Sequence, residues 1–231
     1  MSIASEIQRL RDVRGRILQA IRDKGGTAQE GQKLADVPGL IAQIPGRKEP
    51  CVEFTPGEDG FVRELTFHGE ETPQSLGATV MGFLEKLTVA EGTRRIGAYA
   101  FSDCEALKEV SLPESLEEIQ LGGFSECRAL TTMELPKHLE VIGEEAFQND
   151  TALVLTTIPA SVKTIGSTAF SRCYGIRDLT FQGTPEEIAG DAFQGCGQPM
   201  TIRVPWGEGE DHGQPWGATK ATMVYNVGAE G

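Results

Sequence analysis

A phenylalanine returns at a fixed interval through the middle of the chain, and this repeat constrains the fold more than any other feature. The positions are separated by 23 residues each time, without insertion or deletion: Phe101, Phe124, Phe147, Phe170 and Phe193. An isoleucine stands five residues before each phenylalanine, and a cysteine stands three residues after four of them. A fixed period of roughly 20 to 30 residues is typical of a solenoid.

Each repeat predicts one coil built around a short strand. Val110 and Leu112 alternate with Ser111, as in a strand with one buried face, and Pro113 ends the strand because proline lacks the N–H that a ladder needs. The Ala-Phe-x-x-Cys segment predicts one helical or 3₁₀ turn, with Phe and Cys facing inward. A single repeat buries too little to fold alone, so we expect successive coils to stack and their strands to pair in parallel.

The repeat pattern resembles a known family. The pattern L-x-x-V-x-L-P-x-S-L-x-x-I-G-x-x-A-F-x-x-C is similar to the BspA-like class of bacterial leucine-rich repeats over about residues 62–205. The resemblance implies an α/β repeat fold, a leucine-rich-repeat solenoid with short parallel strands. Glycine follows the isoleucine in three repeats, at Gly97, Gly143 and Gly166, but Gln120 and Ala189 replace it elsewhere. This position therefore predicts a close-packed turn rather than an obligatory left-handed one.

The repeat boundaries divide the chain into four segments. Residues 1–45 carry an apolar helical stripe that predicts a helical anchor or oligomerisation segment. The sequence leaves three alternatives for the stripe: packing on a second short helix, joining copies of the chain, or docking on another protein. Residues 46–60 predict a Pro- and Gly-rich linker. Residues 61–205 are predicted to form the solenoid, with residues 61–83 as a degenerate first repeat. Residues 206–231 predict a cap in which Trp206 and Trp216 cover the last coil.

The charge balance excludes several classes of partner. The chain carries 21 Lys and Arg against 34 Asp and Glu, a net charge of −13. This predicts binding to neither nucleic acid nor an anionic membrane. The sequence contains no long apolar run and no recognisable secretion signal, so we expect a protein that is made in the cytoplasm.

The cysteines predict buried thiols rather than disulfides or a metal site. Cys104, Cys127, Cys173 and Cys196 share one repeat position and form no C-x₂-C pair. Cys51 lies outside the repeats, and we expect its thiol to be the most exposed of the five. Asp150 replaces the cysteine of one repeat. We expect its carboxylate to accept backbone N–H groups of the next loop or to turn outward, because a buried carboxylate needs partners.

The chain contains no pattern of residues typical of catalysis. His68, His138 and His212 fall at unrelated points of the repeat, and neither a phosphate-binding loop nor a nucleophile motif is present. We therefore predict a protein that is not an enzyme and holds no cofactor or metal. A weaker alternative is that the tryptophan pair near His212 stacks on a sugar ring.

The outward face of the strands is the predicted binding surface for a protein or glycan. A ladder of polar side chains stands between the inward positions, and Leu155 interrupts it as an exposed apolar residue. Threonine also suits strands without any binding role. The candidate residues are Thr88, Ser111, Glu134, Leu155, Thr157, Asp178, Thr180 and Arg203.

Both ends of the chain carry a second resemblance. The segment DKGGTAQEGQKLADVPGLIAQI and the residues after Pro205 resemble parts of bacteriophage and prophage tail-associated proteins. This implies a non-catalytic binding or structural protein of phage origin, with the N-terminal helices as anchor and possible homo-oligomer contact, and with a place in the virion after lysis. The alternative, implied by the repeat class, is a bacterial cell-surface adhesin-type protein.

Overall fold

The computed structural model describes residues 52–56, 61–73, 82–196, 199–210 and 212–227. The predicted N-terminal helical segment, most of the predicted linker and Cys51 lie outside these ranges. The described ranges contain only strands, turns and bends, and no helix long and apolar enough to cross a membrane occurs in them. The strands are β1 Val52–Pro56, β2 Val62–Phe67, β3 Lys86–Val89, β4 Arg95–Ile96, β5 Glu109–Ser111, β6 Glu118–Ile119, β7 Val141–Ile142, β8 Thr157–Ile158, β9 Thr164–Ile165, β10 Asp178–Phe181, β11 Glu187–Ile188, β12 Met200–Arg203 and β13 Ala221–Val224.

The strands form three sheets that run along the solenoid. One sheet has the order β1-β2-β3-β5, and a second has the order β13-β12-β10-β8. The third contains the two-residue strands β11-β9-β7-β6-β4, which pair the repeat isoleucines in register, Ile96 with Ile119 and Ile142 with Ile165. All pairs are parallel except β1–β2. The predicted parallel solenoid with a 23-residue period is thus confirmed.

A ladder of stacked aromatic rings forms the centre of the core. All five repeat phenylalanines are fully buried. Neighbouring rings lie 5.2 to 5.7 Å apart between centroids, with interplanar angles of 4° to 15°. Such centroid distances are typical of favourable aromatic contacts. Each coil therefore supplies one ring that both neighbouring coils need for burial.

The Ala-Phe-x-x-Cys segments form single i→i+3 turns. In one of them the Cys173 N–H donates to the Phe170 carbonyl at 3.2 Å. The residue just before the cysteine position has a left-handed φ, between 60° and 76°, in all five coils. In the first four coils the N–H of this residue donates to the next coil, as from Asp103 to the Ser125 carbonyl at 2.8 Å, and these bonds offset the strain. The column consists of Asp103, Glu126, Asn149, Arg172 and Gly195.

Neighbouring coils pack closely at two of the glycines that follow the repeat isoleucine, Gly143 and Gly166. A Cβ on Gly143 would lie 2.8 Å from the Ile119 carbonyl oxygen, and one on Gly166 would lie 2.5 Å from the Glu144 nitrogen. Neither glycine has a left-handed φ. The expected close-packed turn is what the structure contains at these two positions, since a Cβ there would meet the backbone of the preceding coil.

We expect Gly166→Ala to lower the free energy of unfolding by about 2 kcal/mol, because an added methyl group must push two backbones apart. Gly190→Ala is the matched control, since a Cβ there meets nothing within 4 Å and the φ is not left-handed. The control should stay within about 0.5 kcal/mol of wild type. Urea unfolding followed by circular dichroism measures both. Equal stability of the two variants would contradict the packing argument.

Additional strands and rings cover the two ends of the solenoid. At the first coil, Leu65 and Phe67 are buried and β1 pairs antiparallel with β2. At the last coil, Trp216 is fully buried, with its ring centroid 6.2 Å from that of Phe193 and 5.4 Å from that of Phe181. Strand β13 adds a further parallel strand to β12. The apolar cross-sections of the terminal coils are therefore covered by the chain itself.

Candidate binding face

The structure places the predicted binding residues on one face of the strand sheets, with one exception. Ser111, Glu134 and Asp178 are exposed, and Leu155 is buried. The remaining four are half-buried: Thr88, Thr157, Thr180 and Arg203. Parallel register brings these side chains into rows, because residues at the same repeat position lie side by side.

Two polar rows run along this face. In the first sheet Thr66, Thr88 and Ser111 are register partners. In the second sheet the partners are Thr157, Thr180 and Arg203. The Arg203 guanidinium forms an ion pair with Asp178, so two of the predicted residues neutralise each other.

The predicted exposure of Leu155 is wrong. Leu155 is 2% exposed, whereas Val154 is 46% exposed and forms the bridge with Thr132. Thr156, which stands at the repeat position of the buried Val110 and Met133, is exposed. A slip of one residue exchanges the two faces of a strand, and here it buries leucine in place of threonine. Sequence reasoning passed over Val154, which is the exposed apolar residue on this face.

The ladder is interrupted between the two strand sheets. Around residues 131–136 only single bridges join the neighbouring coils, Glu109 to Thr132 and Thr132 to Val154. A depression of about 450 Å³ lies at this point. Its lining consists of Glu109, Val110, Ser111, Leu112, Thr132, Met133 and Glu134.

The depression combines an apolar base with acidic walls. Val110 and Met133 are almost fully buried, and Leu112 is half-buried. Glu109 forms an ion pair with Lys86 at 3.6 Å, whereas Glu134 has no ion-pair partner among the described residues. A partner here would meet exposed polar and acidic side chains, with small exposed parts of Val110, Leu112 and Met133 at the base.

The four repeat cysteines are free and buried, as predicted. The Sγ atoms of Cys127, Cys173 and Cys196 donate to a phenylalanine carbonyl of a preceding coil at 3.0 to 3.2 Å. Burial raises the pKa of all four thiols, that of Cys104 to about 12. Because the thiolate is the reactive form, these thiols are inert in the folded protein.

We expect a Cys51→Ser variant to show almost no reaction with a thiol reagent at pH 8 in the folded state. The same variant should release four reactive thiols in urea, because unfolding exposes the repeat cysteines and restores their ordinary pKa. Absorbance of the released chromophore measures both states. Rapid reaction of more than one thiol in the folded variant would contradict the burial of the cysteine column.

The three histidines lie in different parts of the fold, and each has different neighbours among the described residues. His68 approaches Glu53 at 3.4 Å, and the His138 ring contacts the Glu114 carbonyl at 3.0 Å. His212 lies against Trp206, with centroids 4.6 Å apart. In the described ranges no group of His, Cys, Asp and Glu is suited to holding a metal ion. The alternative of tryptophans stacking on a sugar is wrong, because both are buried in the cap.

Comparison with known proteins agrees with this architecture. The family model for the BspA type leucine rich repeat region matches six copies over residues 81–198, just over half of the chain. No curated protein sequence matches this chain.

Several solved structures resemble the chain. The T. pallidum leucine-rich repeat protein TpLRR is 24% identical with a TM-score of 0.52, over 67% of this chain and 82% of that protein. A leucine-rich repeat protein from Bacteroides ovatus is 25% identical with a TM-score of 0.51, over 67% of this chain and 46% of that protein. The pneumococcal vaccine antigen PcpA is 19% identical with a TM-score of 0.54, over 74% of this chain and 43% of that protein. The matched part of this chain thus spans less than half the length of the Bacteroides ovatus protein and of PcpA. From the extent of the family match, the chain belongs to the BspA-type leucine-rich repeat family.

Proposed function

We propose that the chain is a non-catalytic binding protein that recognises another protein through its strand face, centred on the interrupted ladder. Leucine-rich repeats generally mediate protein binding, and repeat proteins present extended surfaces for this purpose. The depression at residues 109–112 and 132–134 carries the proposal, because it is the place where the regular ladder opens.

The chemistry of the depression favours a protein partner over a glycan. Val154 is exposed beside it, and Val110 and Met133 form its base. An apolar centre with a polar rim is the usual composition of a protein interface. The unpaired carboxylate of Glu134 and the net charge of −13 favour a partner with basic residues around an apolar contact.

Matched charge variants test the site. Ser111→Arg with Glu134→Arg places bulk and positive charge on the strand face, whereas Thr184→Arg with Glu187→Arg makes the same charge change at exposed positions away from it. We expect fluorescent wild type and the control to bind saturably to bacterial cells that carry the gene, and protease treatment of the cells to remove this binding because the partner is a protein. The strand-face variant should bind at least about tenfold more weakly, as expected for disruption of an interface centre. Equal binding by all three proteins, or no binding by wild type, would refute the proposal.

We further propose that the protein acts in association with a phage or prophage tail. The resemblance of residues 1–45 and of the C-terminal segment to tail-associated proteins supports this proposal, and residues 1–45 lie outside the described ranges. Mass spectrometry of purified virions and of cell-surface fractions tests it. Detection in virions supports a tail protein, and detection only at the cell surface supports the adhesin-type alternative. Detection only in the cytosol refutes both.

A further inference from the structure

A second depression lies on the turn side of the coils, away from the strand face. It measures about 400 Å³ and spans three successive coils. We call it the Arg172 pocket. Its lining consists of Gln148, Thr168, Ser171, Arg172, Gln194 and Gly195.

The pocket exists because the column of left-handed residues ends in a glycine. Earlier in this column Asn149 and Glu126 fill the space between coils, and the Asn149 side-chain amide donates to the Glu126 carboxylate at 2.6 Å. Gly195 supplies no side chain at the equivalent place beside Arg172. A Cβ built there would lie 3.1 Å from the Arg172 Cγ. The missing side chain therefore opens the space that Arg172 borders.

Arg172 is exposed and has no carboxylate partner among the described residues, a state that it shares only with Arg177 among the described arginines. Five other arginines form ion pairs with acidic side chains: Arg63, Arg94, Arg95, Arg128 and Arg203. The pocket lining contains no Asp or Glu, although the chain carries 34 of them. The pocket is thus a locally positive site on an acidic protein.

The other lining groups are hydrogen-bonding and neutral. The Gln148 side-chain amide donates to the Thr168 hydroxyl at 3.3 Å, and Ser171 and Gln194 add a hydroxyl and a second amide. No apolar side chain is part of the lining. Such a set of donors and acceptors suits a hydroxylated ring better than an apolar side chain.

We propose that the Arg172 pocket binds a carboxylated sugar residue of the uronate class. The guanidinium pairs with the sugar carboxylate, since arginine binds carboxylates through two parallel hydrogen bonds. The amides and hydroxyls of the lining bind the ring hydroxyls. The volume of about 400 Å³ falls in the range of small-molecule sites and exceeds what a carboxylate alone would fill. This site is independent of the protein-binding strand face.

Nuclear magnetic resonance of the full chain with glucuronate as the probe tests the proposal. We expect saturable shifts of the Arg172 side-chain N–H and of the Gln148 and Gln194 amides. Glucose lacks the carboxylate and acetate lacks the ring hydroxyls, so each should bind at least about tenfold more weakly than glucuronate. Arg172→Gln should lose glucuronate binding to the same extent. Arg177→Gln, which changes an exposed arginine outside the pocket, should bind as wild type does.

A second variant guards against an indirect effect of removing the charge. Gly195→Asn should refill the pocket and abolish the glucuronate shifts while Arg172 remains, and Asn149 shows that asparagine adopts the left-handed φ in this column. The Ser111→Arg, Glu134→Arg variant should bind glucuronate normally, so failure at one site is distinguishable from failure at the other. Absence of shifts in wild type, shifts that survive in Arg172→Gln, or equal binding of glucose would overturn the proposal.

Discussion

Phe147→Ala is expected to lower the free energy of unfolding by about 4 kcal/mol, the middle of the range for truncating a buried phenylalanine. The Phe147 ring is fully buried between those of Phe124 and Phe170, with centroids 5.7 and 5.3 Å away. Backbone hydrogen bonds join this coil to both neighbours, from the Phe124 N–H to Ala146 and from the Phe147 N–H to Ala169, so we expect little collapse into the space that the ring leaves. The cost of the cavity therefore adds to the lost transfer energy.

Urea unfolding followed by circular dichroism and by tryptophan fluorescence measures this effect. Both tryptophans, Trp206 and Trp216, lie in the C-terminal cap, so their fluorescence reports that end of the solenoid while circular dichroism reports the whole. Because each coil contacts only its neighbours, a gap in the middle should separate the two transitions. Val154→Ala, at an exposed site, should stay within about 0.5 kcal/mol of wild type. A loss below about 1 kcal/mol for Phe147→Ala would contradict the ring-ladder account.

The period of 23 residues was enough to predict the core, the parallel pairing and the burial of the cysteines. These features repeat in every coil, so the same evidence appears several times in one sequence. The third sheet, formed by the repeat isoleucines, was not predicted, because two-residue strands show no alternation. The left-handed residue in each of the Phe-x-x-Cys turns was also not predicted. Residues such as Glu126 and Arg172 carry no sequence signal for a left-handed φ, which is held by bonds to the next coil.

The candidate sites were less predictable because they arise where one repeat departs from the others. The strand-face residues follow from alternation, but the exchange of Leu155 for Val154 depends on which of two adjacent residues gains more from burial. The interrupted ladder depends on three neighbouring coils together. The Arg172 pocket could have been found by aligning the repeats, since Gly195 is the glycine of the column that contains Asp103, Glu126, Asn149 and Arg172.

Asp150 is another such departure, and it makes stability depend on pH. Its side chain is fully buried, and Oδ1 accepts the Cys127 N–H at 2.7 Å, from the preceding coil rather than from the next loop as expected. Oδ2 has no hydrogen-bond partner among the described residues. Burial raises the pKa of this carboxyl well above its ordinary value, Glu126 adds to the shift, and the Cys127 N–H opposes it. The neighbouring thiols of Cys104, Cys127 and Cys173 remain protonated across the relevant range.

The direction of the pH effect follows from the raised pKa. Between about pH 4 and the folded-state pKa, the folded protein holds a proton on Asp150 that the unfolded chain has lost. The contribution of Asp150 to stability is therefore complete below about pH 4 and decreases as the pH rises through the folded-state pKa. Wild-type protein should lose stability over this window relative to any variant that lacks the carboxyl.

Asp150→Cys, which restores the residue of the other four coils, should raise the free energy of unfolding by about 3 kcal/mol at pH 8. The new thiol can donate to the Phe124 carbonyl, as Cys173 does to that of Phe147, and no charge is buried. Asp150→Asn has a side chain of nearly the same size but no carboxyl, so it should also remove the pH dependence of stability. This variant separates the effect of the charge from the effect of packing. Urea unfolding at pH 4.5, 6 and 8 measures all three proteins. If the difference between wild type and Asp150→Cys were the same at each pH, the pKa of Asp150 would not be raised in the folded state, and the carboxyl would be ionised in the folded and unfolded states alike.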